Sequence, residues 1–314
     1  MNASSGHRCL LCDHPEPENS ASLTGRELRI LWDTLKNHIG ESAYGTITPE
    51  TDVILYRCRS CGFRFFNPEF AGSAEFYEEL MASKTYPLGS PEFDRAIQFA
   101  RRKGIGGVLD VGGGEGAFLD QAKLAGLKTA GVELNRHASQ VAASKGHRMF
   151  NTMMEDIPLE SLDGGAEFLT LFQVVEHVPS PVEFLQAASR LVKPGGYLAV
   201  AVPSDKRMLG LLANDPADWP PHHVSRWRLE DLKTLGEKAG LHLFEQHVDP
   251  FYGRALPWAF KLHTQLGNAI NRQPYQFPLH AVNLASLFYR ALKLQKFLPF
   301  HGLSLFTIYR KPEF

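Results

Sequence analysis

An α/β protein is predicted: a mainly parallel sheet with helices on both faces, a small N-terminal metal-binding module, and a helical insertion before the last strand. Three observations predict it. Short apolar segments alternate with helical patterns from Gly107 onward. A glycine run, Gly112-Gly113-Gly114-Glu115-Gly116, follows the first of those segments. Two Cys-x-x-Cys pairs stand near the N-terminus.

The chain has 314 residues, 44% hydrophobic and 21% charged, which suits a sizeable core. Thirty-three Lys+Arg against 34 Asp+Glu give a net charge of −1. That balance argues against a general attraction to nucleic acid or acidic membranes. The start, MNASSGHRCLLC, lacks the charged and apolar regions of a secretory signal, so a cytoplasmic location is expected. Arg290, Lys293 and Lys296 interrupt the most apolar late segment, Val282 to Phe300, which leaves peripheral membrane contact open and a membrane span excluded.

The four cysteines are Cys9, Cys12, Cys58 and Cys61. Two such knuckles supply four thiolates for a tetrahedral structural zinc; redox-active or unrelated thiols are the alternatives. Forty-five residues separate Cys12 from Cys58, against roughly 15 to 20 in a compact ribbon, so something is inserted. Leu28, Leu31, Trp32 and Leu35 fall at helical spacing there, predicting an amphipathic helix that packs on the ribbon.

After FRFFNPEF, the stretches Ala74–Met81 and Pro91–Lys103 carry helical apolar spacing. Strands are expected at Val108–Val111, Lys128–Glu133, His147–Asn151, Phe168–Phe172 and Tyr197–Val202. A helix over Pro181–Val192 ends in Lys193-Pro194-Gly195-Gly196, a stop-and-turn signal. A helix over Leu229–Lys238 precedes the strand candidate LHLFEQHV, and LSLFTIYRK is the last strand candidate. The boundaries that follow are 1–70 for the zinc-binding module, 71–103 for a linker with lead-in helices, 104–249 for the core, 250–303 for the insertion and 304–314 for the last strand. A structureless insertion of that length is improbable. Trp258, Phe260, Leu262 and Leu266 mark one helix in it, and Leu284, Leu287, Phe288, Leu292 and Leu294 another. Most of these faces are expected to pack on the sheet, and some to form a lid; a homodimer contact is the other use for them.

The glycine run fits two ligand classes. Gly112 to Ala117 satisfies the dinucleotide pattern GxGxxA, and Glu133 stands where a ribose-binding acid should be. Asp110 and Glu115, however, would set carboxylates beside a pyrophosphate. S-adenosylmethionine (SAM) instead presents an ammonium and a sulfonium.

Asp110-Val111-Gly112-Gly113-Gly114-Glu115-Gly116, followed by Gly131-Val132-Glu133-Leu134, Glu155-Asp156-Ile157-Pro158, FLTLFQVVEH over Phe168–His177, and LVKPGGYLAV, resembles the class I SAM-dependent methyltransferases over about Gly104–Val248. The resemblance implies a Rossmann-like seven-stranded sheet. It implies that Asp110 faces the methionine amino group, that Gly112, Gly114 and Gly116 admit close backbone approach, and that Glu133 accepts the ribose hydroxyls beside Leu134. Asp156 would accept the adenine amino group, Ile157 would cover the ring, and Phe172 and Gln173 would border the cofactor. Read singly, the glycines are a plain strand-to-helix turn, Glu133 a surface acid and Asp156 a helix cap.

The paired knuckles, Cys61-Gly62-Phe63-Arg64-Phe65-Phe66-Asn67-Pro68, and Glu176-His177-Val178 are similar to bacterial small-molecule methyltransferases with an N-terminal zinc-binding segment. The family's H-V-x-x-[FW] pattern falls on His223-Val224-Ser225-Arg226-Trp227, with His222 an extra histidine. A hydroxyl acceptor needs a proton acceptor, and a histidine suits that role near neutral pH. His223 is the first candidate; capping of neighbouring backbone, or stacking on Trp219 or Trp227, is its structural alternative. Glu176 and His177 are the second candidates. Related metal-dependent enzymes carry E-x-x-E-H, which here reads Gln173-Val174-Val175-Glu176-His177; the neutral Gln disfavours a catalytic metal at Glu176, His177 and His222 or His223.

The leading functional expectation is methyl transfer from SAM to a small-molecule hydroxyl, on a sugar or a lipid-linked intermediate. The rivals are an RNA methyltransferase, disfavoured by the charge balance, and a non-enzymatic SAM-fold scaffold using the zinc module for interactions.

Overall fold

The structure is a computed structural model, and it describes residues 7–35, 39–83, 90–206, 215–249, 256–270 and 304–313. The chain gathers into two compact units. The first draws on 1–84, 203–228 and 248–304, the second on 85–202, 229–247 and 305–314.

In the first unit, strand β1 (Glu18–Thr24) pairs antiparallel with β2 (Asp52–Arg57). Thr24 ends β1 and also caps helix α1 (Gly25–Thr34): its hydroxyl accepts from Glu27 N while the Glu27 carboxylate accepts from Thr24 N. Such a box contributes about 1 kcal/mol at a helix start. Helix α1 buries Leu28, Leu31 and Trp32, as its spacing predicts. The flanking strands were not expected. ENSASLT has little apolar content to mark it, and β1 is mostly exposed.

Strand β3 (Arg64–Phe65) joins β2, and β9 (Ser225–Arg226) joins β3, both antiparallel, giving the order β1-β2-β3-β9. This pairing is why 203–228 clusters with the first unit, whereas the sequence reading set it inside the core domain. Helix α2 (Ala74–Ser83) adds Phe76 and Leu80 to a core containing Trp32, Tyr44, Val53, Phe66 and Trp219.

The insertion contributes helix α8 (Leu256–Ala269). Its Leu266, with the following Ile270, is buried in this same core rather than on the large sheet, which corrects that expectation for Leu266; the side chains of Trp258, Phe260 and Leu262 lie outside the described residues. The physical reason is the apolar face that α1 already offers. The second helix candidate, Leu284 to Leu294, lies outside the described residues. No helix among the described residues is long and apolar enough to cross a membrane.

The second unit opens with helix α3 (Pro91–Lys103) and then alternates: β4 (Gly107–Val111), α4 (Ala117–Leu124), β5 (Lys128–Val132), α5 (Arg136–Ser144), β6 (Arg148–Phe150), β7 (Ala166–Phe172), α6 (Pro181–Arg190), β8 (Val192–Pro203), α7 (Leu229–Lys238), β10 (His242–Val248) and β11 (Ser304–Arg310). The seven strands run β10-β11-β8-β7-β4-β5-β6, with β6, β5, β4, β7 and β8 mutually parallel. Strand order reverses direction between β4 and β7, the place where open α/β sheets bind ligands at their carboxyl ends.

The predicted Lys193–Gly196 turn is instead the start of β8. Gly195 keeps a left-handed φ of 73°, but the Gly195 amide donates to the Lys311 and Pro312 carbonyls and Lys311 N to Gly196 O, which holds the segment extended. Helix α6 accordingly ends at Arg190, two residues early, with Lys311 Nζ donating to the Ser189 and Val192 carbonyls. Between α7 and β11 the packing is close. Tyr309 is fully buried, its hydroxyl donates to Leu232 O at 2.6 Å, and a Cβ on Gly236 would stand 2.3 Å from its ring.

Candidate functional site

The glycine run turns out of β4 into α4 at the reversal point. Gly112 has φ 77°, and a Cβ there would lie 2.6 Å from Val174 Cγ2, so both conformation and space demand glycine. Gly114 and Gly116 share the left-handed region, and a Cβ at Gly114 would meet nothing within 4 Å. That open side is what close approach of a ligand to the backbone needs.

Asp110, on β4, is 3% exposed. Its register partner on β7 is Thr170, whose hydroxyl donates to Asp110 Oδ1 at 2.6 Å. Burial pushes the carboxyl up to about 7; the Thr170 donor opposes the shift and the Glu133 charge adds to it. A buried acid so placed is stabilised as an anion by an arriving cation.

Glu133 follows β5 and closes the same turn: Oε2 accepts from Gly114 N at 2.9 Å and Oε1 from Asn135 N at 2.7 Å. A carboxylate has further lone pairs on both oxygens. Asn151 supports it by donating to the Glu133 and Leu134 carbonyls. The Leu134 side chain is exposed, as is Asp156 at the end of a single 3₁₀ turn, whereas Ile157 is buried.

At the end of β7, Phe172 forms a three-ring cluster with Phe93 and Phe118. Gln173 sits at φ 57°, an uncommon conformation for a side-chain-bearing residue. Its Nε2 donates to Glu92 Oε1 at 3.0 Å, and Glu92 is buried in the first turn of α3. The sequence reading missed Glu92; an acid at a helix start is too common to single it out. Glu176 and His177 lie in the next 3₁₀ turn, Glu176 buried and its Oε1 3.8 Å from His177 Nε2.

The other two candidate histidines, His222 and His223, belong to the first unit. Trp219 O accepts the backbone N–H groups of both His222 and His223. The two rings stack with centroids 4.4 Å apart. His222 Nδ1 faces Ala217 O at 2.8 Å and its ring neighbours Trp32, Phe76 and Tyr77. His223 is 5% exposed with Nδ1 3.4 Å from Asp218 Oδ1. A proton held on Nδ1 toward a carboxylate leaves Nε2 as the basic nitrogen of the neutral ring. A small pocket is lined by His223, Asp218, Ser204, Asp205, Ser225 and Arg226, among others, and all six are buried.

The cysteines converge. Cys9 Sγ lies 3.7 Å from Cys61 Sγ, Cys12 Sγ 3.5 Å from Cys58 Sγ, and all four sulfurs fall within 4.8 Å of one another. The second knuckle is the turn between β2 and β3. In it Gly62 N donates to Cys58 O, Cys58 N to Phe63 O, and Cys61 N faces the Cys58 sulfur at 3.5 Å. Burial pushes the Cys61 thiol up to about 12 and raises Cys9 as well. At Cys58 burial also pushes upward, but the backbone N–H groups of Cys61 and Ser60 together with the Cys12 and Cys61 side chains outweigh it, and the net direction is down. Arg228 Nη2 donates to Cys61 O at 2.9 Å, a contact across 167 positions that no local pattern announces.

Similarity to known proteins agrees with this geometry. The chain is 32% identical over 173 residues to a ubiquinone biosynthesis O-methyltransferase of Chromobacterium violaceum, covering 50% of this chain and 72% of the relative. It is 28% identical over 155 residues to the protein of that name from Alkalilimnicola ehrlichii, covering 43% of this chain and 63%, less than two thirds, of that relative. A solved SAM-dependent methyltransferase from Archaeoglobus fulgidus matches with a TM-score of 0.45 and 19% identity, over 71% of this chain and 95% of that one. The methyltransferase domain family matches residues 79–246, more than half of the chain. With the glycine turn, the buried Asp110 and the seven-stranded order lying inside or beside that match, the protein belongs to the SAM-dependent methyltransferases of the methyltransferase domain family.

Proposed function

We propose that the protein transfers the methyl group of SAM to a hydroxyl of a small-molecule acceptor, with His223 taking the hydroxyl proton. The observation that carries the proton-transfer role is the Asp218–His223 pair, 3.4 Å apart in a buried pocket, which orients the ring and stabilises its protonated form. The names of the relatives support oxygen as the accepting atom. A sugar or lipid-linked intermediate is the finer reading of the acceptor.

SAM, when bound, supplies a methyl carbon already activated by the adjoining sulfonium. The chain's own part is to bind, align and remove a proton. Asp110 holds the methionine ammonium, which replaces the missing countercharge in its buried site. Gly112, Gly114 and Gly116 let the backbone approach, and Glu133 accepts the ribose hydroxyls with the lone pairs that Gly114 N and Asn135 N leave it. Asp156 accepts the adenine amino group, Ile157 and Leu134 flank the ring, and Phe172 and Gln173 complete the wall. Glu176 and His177 shape the loop after β7.

The four cysteines fit zinc. Tetrahedral sites with Zn–S bonds of about 2.3 Å have sulfur–sulfur edges of roughly 3.8 Å, close to the 3.7 and 3.5 Å seen here. Zinc would offset the burial that keeps Cys9 and Cys61 protonated. Four thiolates leave no open coordination position, so the role assigned is structural.

Calorimetry with SAM, followed by S-adenosylhomocysteine release against panels of phenolic, sugar and lipid-linked hydroxyl acceptors, tests the proposal. Binding with turnover on one panel is expected. Failure to bind SAM, or transfer only to RNA, overturns it.

A further inference from the structure

The segment carrying the histidine pair is strapped to the second cysteine knuckle at four successive levels. Arg228 donates to the Cys61 carbonyl at 2.9 Å. The Trp227 ring packs on Phe63 with centroids 4.8 Å apart. Arg226 and Ser225 pair with Arg64 and Phe65 as neighbouring strands. Phe66 N donates to Val224 O at 2.9 Å, and His223 is the next residue.

A second strap closes the loop from its other end. Asp205 N donates to Trp227 O at 2.8 Å, and the Asp205 carboxylate is ion-paired with Arg64. The knuckle and the strand β3 that follows it therefore contact both ends of the segment from Ser204 to Arg228, which contains Asp218, His222 and His223. The Cys61 amide faces the Cys58 sulfur, while the carbonyl of the same residue is the one that Arg228 grips.

We infer that Arg228 is a positioning residue that couples the four-cysteine site to the geometry of His223, an inference that rests on the zinc and proton-acceptor readings above. The thiolate site is then more than a staple for the N-terminal segment. The turn that carries Cys58 and Cys61 leads directly into β3, and the pairing of β3 with β9 aims the His223 ring at its pocket. Cofactor binding is independent of the coupling, since the residues assigned to SAM belong to the other unit.

The test compares the parent with Arg228→Gln, which removes the cation, and Arg228→Lys, which restores it. Metal content, SAM affinity, hydrogen exchange at the His222 and His223 amides, and histidine ring NMR signals assigned with single His variants are read for each. Expected for Arg228→Gln are one zinc per chain, SAM affinity within about twofold of the parent, exchange of the two amides about tenfold faster, and displaced His223 ring signals. Arg228→Lys should recover part of each change. If the glutamine variant does not fold, the lysine variant is judged by the same measurements. Unchanged exchange and ring signals with zinc retained overturn the coupling. So does loss of zinc from the variants, which would confine Arg228 to the metal site. A parent protein without zinc removes the metal reading itself, an outcome that metal analysis of the parent alone identifies.

Discussion

The Glu133 carboxylate accepts the backbone N–H of Gly114 at 2.9 Å, so the acid assigned to the ribose also locks the glycine turn. Glu133→Ala removes both functions. SAM affinity should fall about 10- to 100-fold, given roughly 1.5 to 3 kcal/mol for a charged hydrogen bond. Calorimetry on the folded variant checks this, and affinity equal to the parent's would reject the cofactor assignment.

Asp110 makes stability depend on pH. Its carboxyl stands at about 7 in the folded chain, against about 3.9 unfolded, so the folded state binds the extra proton between those values. Its contribution is fully present below pH ~4 and is lost as pH rises through ~7. Asp110→Asn should lack that decline in thermal melts of the SAM-free protein. SAM binding near pH 6 should release a proton in the parent and none in the variant. Calorimetry in two buffers of different ionisation enthalpy measures the release, and equal proton counts would be fatal to the ammonium-binding role.

His223→Ala should slow methyl transfer by about 10²- to 10⁴-fold while leaving SAM affinity unchanged. Asp218→Asn should produce a smaller loss and shift the pH–rate profile, because Asp218 acts through the ring that it faces. Unaltered turnover in His223→Ala would move the proton acceptor to His177, His222 or the acceptor's own acidity.

One zinc per chain is expected in protein purified without chelator. Cys61→Ser should lower the metal content and destabilise the first unit, since structural zinc carries folding free energy. Elemental analysis that finds no zinc, or thiol titration that finds disulfides, would sink the assignment.

Gly236→Ala sets two effects against each other. Alanine favours a helix interior by about 1 kcal/mol, but its methyl would stand 2.3 Å from the buried Tyr309 ring. Overpacking costs typically 1 to 3 kcal/mol, so the variant should melt at lower temperature. A raised melting temperature would mean that Tyr309 moves aside freely.

The large sheet was legible because parallel strands buried on both faces read as apolar runs, and Gly112, Gly240 and the Pro181 start punctuate them. Helix α1 was legible from Leu28, Leu31 and Trp32. The small sheet was not: β3 and β9 have two residues each and gain meaning only from their pairing. Cys9, Cys12, Cys58 and Cys61 were legible as a set because thiolate chemistry fixes a local spacing. Glu92 and Arg228 were hidden, since their partners are set by folding: Glu92 meets Gln173 across 81 positions and Arg228 meets Cys61 across 167.

Strand β11 has a consequence for how the chain assembles on the ribosome. It lies between β10 and β8, and Leu305, Phe306, Thr307, Ile308 and Tyr309 are all buried. Until those residues emerge, β8 has an open edge and the Leu232–Leu235 face of α7 lacks its aromatic partner. Nascent chains paused before residue 304 should therefore be the sticky ones, with an unpaired strand for chaperones or other chains to meet. Docking of the emerged β11 is the step that covers this edge of β8.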